Sequence, residues 1–219
     1  LSTALAEVLL PEEHPILQTR RVEEPITVMA PLDALVGTHR PMLVKMMAAL
    51  APFACTDTDR AGLNRVHLEA HDEKRLILMA TDGHTAAMLA VEILEHGIPR
   101  GCMGLTIDSV KTFVSSKGFS PFVWTPEHEQ FPWIRQVTQI APEPYAGVFG
   151  VNAKYFGRNS TAMTKLGYGK SAALRIQCGE DALSPVTATA PELLMRTKVK
   201  DGPTATVKLL TLTMPMRLE

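Results

Sequence analysis

Apolar residues recur along this chain at two spacings. Met42, Leu43, Met46, Met47 and Leu50 return every three or four positions behind Pro41, which predicts a helix limited by Pro52. The same spacing returns at Val110, Phe113 and Val114, with Asp108 or Ser109 as the cap and Gly118 at the end. It returns again over 152–166 at Tyr155, Phe156, Met163 and Leu166, where Asn152 is suited to cap and Gly167 and Gly169 to stop the helix. A shorter helix is predicted over 2–10, between a Ser2 cap and Pro11.

The second spacing is alternation, or a short apolar run between turn residues. It predicts strands over 64–70, 75–80, 85–94, 102–107, 119–124, 148–151, 173–178, 185–189, 193–199 and 206–214. Further candidates lie at 26–29 and at 35–39, the latter interrupted by Gly37. His71-Asp72-Glu73-Lys74, Asp82-Gly83, Gly179-Glu180-Asp181 and Asp201-Gly202-Pro203 supply turns. Residues 11–25 hold three prolines and mixed charge and read as an extended arm; Ala141-Pro142-Glu143-Pro144 reads as a linker. Strand, helix and strand meander thus follow one another three times, an α+β repeat. The strict β-α-β alternation of a nucleotide-binding sheet is missing, as is a glycine-rich phosphate loop.

Bulk properties narrow the classes. At 219 residues the chain is one large or two small domains. Its net charge of −1 supplies no global field toward nucleic acid or membrane, so any such contact needs local segregation of charge. Cys55, Cys102 and Cys178 are odd in number and far apart, which argues for a reducing, cytoplasmic setting rather than a disulfide framework. No Cys/His spacing suggests zinc, and no apolar run approaches the roughly 20 residues of a membrane helix. The first ten residues carry Glu7 and no basic segment, unlike a signal peptide, and a start without Met fits a trimmed fragment.

Two stretches carry a family resemblance: Ala80-Thr81-Asp82-Gly83-His84, and Leu212-Thr213-Met214-Pro215-Met216-Arg217-Leu218-Glu219 at the C-terminal end. In this order and this far apart they resemble the bacterial DNA polymerase III beta sliding clamps, the processivity factors of replication. Leu63-Asn64-Arg65-Val66-His67-Leu68-Glu69 is similar to the first half of the middle clamp domain, and Phe131-Pro132-Trp133-Ile134-Arg135-Gln136-Val137 to the segment leaving it. Gly150-Val151-Asn152 and the following helix resemble the second half of the last domain. The resemblance implies a DNA-clamp fold of repeated strand-helix-strand-meander units, with helices on one face of curved antiparallel sheets. It implies an arm over 1–25, a clamp-like domain over 26–140 and a reduced one over 141–219. The family has three domains and this chain has room for two at most; a two-domain protomer could close a ring as a trimer, or the chain could be a clamp relative that never encircles DNA. Glu219 also extends past the family's terminal leucine.

By the same resemblance, a peptide-binding groove is expected from Leu63, Thr81, Gly83, His84, Thr85, Ala86, Val137, Leu212, Met214, Pro215, Met216 and Arg217. Exposed Met, Leu and Pro make an adaptable apolar floor for a leucine or phenylalanine side chain. The residue after the histidine, often Arg in the family, is Thr85 here. DNA contact is expected from Lys45, Lys111, Lys117, Lys154, Arg158, Lys165 and Lys170. Over 151–170 the charged residues are Lys154, Arg158, Lys165 and Lys170, with no Asp or Glu. Read alone, they are a solvated basic helix face; on a clamp they would touch phosphates weakly and without sequence preference. His71-Asp72, Asp82 with His84, and His128-Glu129 all fall in turns and match no catalytic spacing. The expectation is therefore a non-enzymatic protein without cofactor or metal. Its partners would be duplex DNA, and DNA polymerase, clamp loader and repair proteins through short peptides. It would form a homo-oligomer off the membrane. The other reading is a non-ring adaptor or decoy that binds the same peptides without encircling DNA.

Overall fold

The computed structural model describes residues 22–26, 35–93, 96–116, 131–132, 151–170, 172–177, 185–197 and 202–214. Three helices and eight strands lie in these segments: α1 (Arg40–Leu50), β1 (Arg65–Ala70), β2 (Arg75–Thr81), β3 (Thr85–Ile93), β4 (Gly101–Thr106), α2 (Ile107–Ser115), α3 (Ala153–Leu166), β5 (Arg175–Gln177), β6 (Val186–Thr189), β7 (Leu193–Arg196) and β8 (Thr204–Thr213). The strands form one curved antiparallel sheet, ordered β4-β1-β2-β3-β8-β6-β5, with β7 also paired to β8. Residues 22–26 add a parallel bridge on the outer side of β4, between Pro25 and Cys102.

Each helix starts and stops for a local reason. Asn152 takes a backbone N–H at α3, accepting from Lys154, and Gly167 ends the helix at φ +96. The cap of α2 is Thr106, not Asp108 or Ser109: its hydroxyl accepts from the Ser109 N–H at 3.3 Å, so β4 ends one residue earlier than the apolar run suggests. Arg40, at the start of α1, donates to the carbonyls of Phe113 and Ser116 at 3.0 and 2.9 Å and lies over the Phe113 ring. One guanidinium thereby satisfies orphan carbonyls at the C-terminal end of α2. The strand expected over 35–39 is instead a helical turn leading into α1, because Gly37 bends the chain at φ +47.

Strands β1 to β3 and the second half of β8 are buried on both faces, whereas β5 and β7 are partly exposed. Leu68, Leu78, Leu89 and Leu209 face the helices together with Met42, Met46, Phe53, Phe113, Ala162 and Leu166. Ile77, Met79, Met88, Leu210 and Leu212 form a second cluster with Phe131. Each full burial of such a side chain contributes roughly 1.5–3 kcal/mol. The units expected over 26–140 and 141–219 share this sheet and the first cluster. β3 of the one pairs along its whole length with β8 of the other, from Thr85 opposite Thr213 to Ile93 opposite Ala205. The helix expected over 2–10, most of the arm, the strand over 119–124 and the linker at 141–144 lie outside the described residues.

Candidate functional site

The β2–β3 turn, Asp82-Gly83-His84, is held by its own side chains. Gly83 adopts φ +91, which favours glycine, and an added Cβ would lie 3.3 Å from the Arg60 guanidinium. The Thr81 hydroxyl donates to the Thr85 carbonyl at 2.7 Å and accepts from the Gly83 N–H at 3.1 Å. Asp82 Oδ1 accepts from the N–H groups of His84 and Thr85 at 2.9 and 2.8 Å, and from the Thr85 hydroxyl at 3.2 Å. The expectation of a tight turn at Asp82-Gly83 therefore holds, with the carboxylate as its organiser.

The β3–β8 ladder brings the end of β8 beside this turn. Ala86 lies opposite Leu212, and the Met214 N–H donates to the His84 carbonyl at 2.9 Å. Leu63 also borders the turn, with its Cδ1 3.9 Å from where a Gly83 Cβ would stand. Leu63, Thr81, Gly83, His84, Thr85, Ala86, Leu212 and Met214 are thus gathered in one place. Their exposure divides them. Gly83 and His84 are exposed, Met214 is 44 % exposed and Leu63 is half-buried, whereas Thr81, Thr85, Ala86 and Leu212 are buried beneath. The first four offer surface, and the rest fix its shape. Val137, Pro215, Met216 and Arg217 lie outside the described residues.

Helix α3 supplies side chains that the sequence did not assign to this place. Arg158 Nη1 donates to Asp82 Oδ2 and to the Thr85 hydroxyl, each at 2.6 Å. Its guanidinium lies 4.9 Å over the Tyr155 ring, and Tyr155 stacks on His84 with centroids 5.7 Å apart and planes 8° apart. Burial alone would raise the Asp82 carboxyl, but bonds from Arg158, Thr85 and His84 outweigh it and hold the group below its ordinary 3.8. Tyr155 was legible only as an apolar position of the helix, although an aromatic three residues before an arginine is the spacing that lets the two stack.

The remaining described candidate cations lie on the three helices, except Lys170, which follows α3. Lys45, Lys111, Lys154, Lys165 and Lys170 are exposed. On α3, Lys154, Arg158 and Lys165 share one stripe, being spaced by four and seven residues. Lys111 pairs with Asp108 at 2.9 Å, both side chains well exposed, an arrangement that contributes little. Arg158 differs from these lysines: its side chain is only 18 % exposed and its charge is engaged by Asp82. Lys117 lies outside the described residues.

The turn histidines have structural surroundings. His71 Nε2 lies 3.3 Å from the buried Glu69 carboxylate, which also accepts from the Val22 N–H at 3.3 Å. Asp72 accepts from the N–H groups of Lys74 and Arg75 and pairs with the Arg75 guanidinium. His128 and Glu129 lie outside the described residues. Among the described residues, no group of three His, Cys, Asp or Glu is placed to hold a metal, and no helix is long and apolar enough to cross a membrane.

A curved antiparallel sheet with its helices on one face is the architecture of the DNA clamps, and the chain has that fold. It matches the beta subunit of DNA polymerase III from Thermotoga maritima at a TM-score of 0.52 and 16% identity, over 95% of this chain and 69% of that one. It matches a Helicobacter pylori beta clamp, solved in complex with diflunisal, at 0.57 and 13% identity, over 91% of this chain and 68% of that one. The DNA polymerase III beta chain from Streptococcus pneumoniae TIGR4 matches at 0.50 and 12% identity, over 94% and 68%. The likeness at these identities is one of fold, and the chain spans about two thirds of the length of these clamps. No family model matches the chain, and no curated protein matches it in sequence.

Proposed function

We propose that this chain is a sliding-clamp-type processivity factor of DNA replication, non-enzymatic and cytoplasmic. It encircles or contacts duplex DNA and tethers polymerase, clamp loader and repair proteins through the surface around His84 and Met214. The observation that carries the reading is the meeting, inside a clamp fold, of the Asp82-Gly83-His84 turn with the end of β8, joined by the Met214 N–H to His84 carbonyl bond. Gly83, His84, Leu63 and Met214 offer a small, partly apolar surface at a sheet end, which suits a short peptide with one or two apolar anchors. The exposed lysines of the helices support a weak, salt-sensitive contact with phosphates and no reading of bases.

Binding of a labelled peptide of the Gln-x-x-Leu-Phe kind tests the groove. The full chain is expected to bind with a Kd on the order of micromolar, and a chain lacking residues 214–219 to lose that binding. Undiminished binding by the shortened chain overturns the site.

A second reading, the non-ring adaptor or decoy, has one observation in its favour. Residues 24–26 bridge the start of β4 on its outer edge: the Cys102 N–H donates to the Glu24 carbonyl at 2.8 Å, and the Ile26 N–H donates to the Cys102 carbonyl at 3.0 Å. An edge already paired at its start within its own chain is less open to a strand from another copy.

A further inference from the structure

We propose that Arg158 is a positioning residue of the peptide groove, holding the His84 turn to helix α3, and that it is not a DNA-contacting cation. The inference rests on the groove reading above and adds to it a residue from outside the two motifs. Its basis is the division of labour on Asp82. Oδ1 is filled by the turn itself, through the His84 and Thr85 N–H groups and the Thr85 hydroxyl. Oδ2 is taken by Arg158. The same guanidinium nitrogen reaches the Thr85 hydroxyl, so the charge bridges the first residue of β3 and the turn before it. Asp82 and Arg158 are 11 % and 18 % exposed, which shields the pair from solvent and salt. A charge-assisted bond in that setting is stronger than an exposed one.

Tyr155 completes the device. It lies under the Arg158 guanidinium and stacks on the exposed His84 ring, so α3 sets the orientation of a surface side chain as well as the turn beneath it. Lys154 and Lys165 lie on the same stripe of α3 as Arg158, but they are exposed and make no ion pair among the described residues. One helix thus separates its cations by depth: the outer two remain open to a polyanion, and the middle one is committed to the groove. The carboxylate partner also explains how a turn carrying Thr85, where the related pattern often has Arg, still has a guanidinium beside it. Here one guanidinium comes from α3 and lies behind the surface, while that of the exposed Arg60 donates to the Asp82 carbonyl at 3.5 Å. Arg158 is therefore expected to act on peptide binding through the shape of the turn, not by touching the peptide.

The test compares Arg158→Ala and Arg158→Lys with the parent chain in three measurements. Peptide affinity is expected to fall at least about ten-fold in Arg158→Ala. It should fall less in Arg158→Lys, whose ammonium keeps the charge but loses the planar fork. The dependence of duplex DNA affinity on salt is expected to keep its slope in Arg158→Ala; the Lys154→Ala/Lys165→Ala pair, which removes two open cations, should flatten it and so calibrates the readout. Amide exchange at His84 and Thr85 is expected to quicken in Arg158→Ala. Unchanged peptide affinity together with a salt slope flattened by about one overturns the proposal, since Arg158 would then be a phosphate contact. If the parent chain binds no such peptide, the groove reading fails by itself and amide exchange decides: quickened exchange upholds Arg158 as the anchor of the turn, and unchanged exchange overturns it.

Discussion

Asp82 shows how much a single side chain organises here. Its two oxygens face different neighbours, one the turn and the other α3. The half facing the turn was legible in the sequence, because an Asp-Gly pair after an apolar run is local chemistry. The other half was not, because Arg158 is 76 residues away. The bonds that hold the carboxyl below its ordinary 3.8 tie it to stability. A group whose folded pKa is depressed contributes stability that is present above the unfolded pKa and lost as pH falls through the folded one. Asp82→Asn keeps an oxygen for the turn but loses the charge facing Arg158, and should cost about 1.5–3 kcal/mol at neutral pH. Urea unfolding across pH should show the gap between parent and variant closing below about pH 4. A gap that persists in acid would mean that the charge of Asp82 is not what the variant loses.

At the level of elements, glycine has its clearest role at the sheet edge. Gly101 begins β4 at φ +146, and a Cβ there would lie 2.6 Å from Ile26 Cγ1 and 2.8 Å from the Glu24 carbonyl. The close approach of residues 22–26 to β4 thus requires the missing side chain. Gly101→Ala should destabilise the chain by about 1–3 kcal/mol, with faster exchange of the Cys102 amide, whose carbonyl partner is Glu24. Unchanged exchange would show that the edge pairing tolerates the methyl group. The sequence placed β4 within one residue but not its outer neighbour, since an arm rich in proline carries no register signal. Helix ends were more legible: the Asn152 cap and the Gly167 stop are read from the chain itself. At α2 the sequence offered Asp108 or Ser109 as the cap, and the geometry selected Thr106 instead.

Across the whole molecule, the continuous sheet is the decisive feature. Pairing of β3 with β8 welds the first meander to the last and carries His84 and Met214 into contact. Among the outer strands, β4 is bridged at its start by residues 24–26. Light scattering over a wide concentration range is expected to give one closed oligomer, as a ring-forming clamp requires. A strict monomer would remove the intrinsically closed ring and leave the peptide-binding adaptor. Variants that open the β4 edge, such as Gly101→Ala, then show whether the covered edge is what keeps the copies apart.

The sequence by itself determined most of the described helices and strands and the Asp82-Gly83 turn, because helix spacing, strand alternation and glycine turns are set by neighbours a few residues away; the turn over 35–39 and the cap of α2 were exceptions. Through the Ala80-to-His84 stretch and the end at Leu212 to Glu219, it also pointed to the clamp fold and to the two stretches that meet. Only the tertiary structure decided what Arg158 does, since its charge looks the same along the chain as those of Lys154 and Lys165. Depth and the position of Asp82 separate it from them. Only the tertiary structure showed that the central strands are buried on both faces and that two apparent units share one core. Those outcomes depend on long-range pairing, where one ladder between β3 and β8 fixes the surroundings of every side chain on both strands.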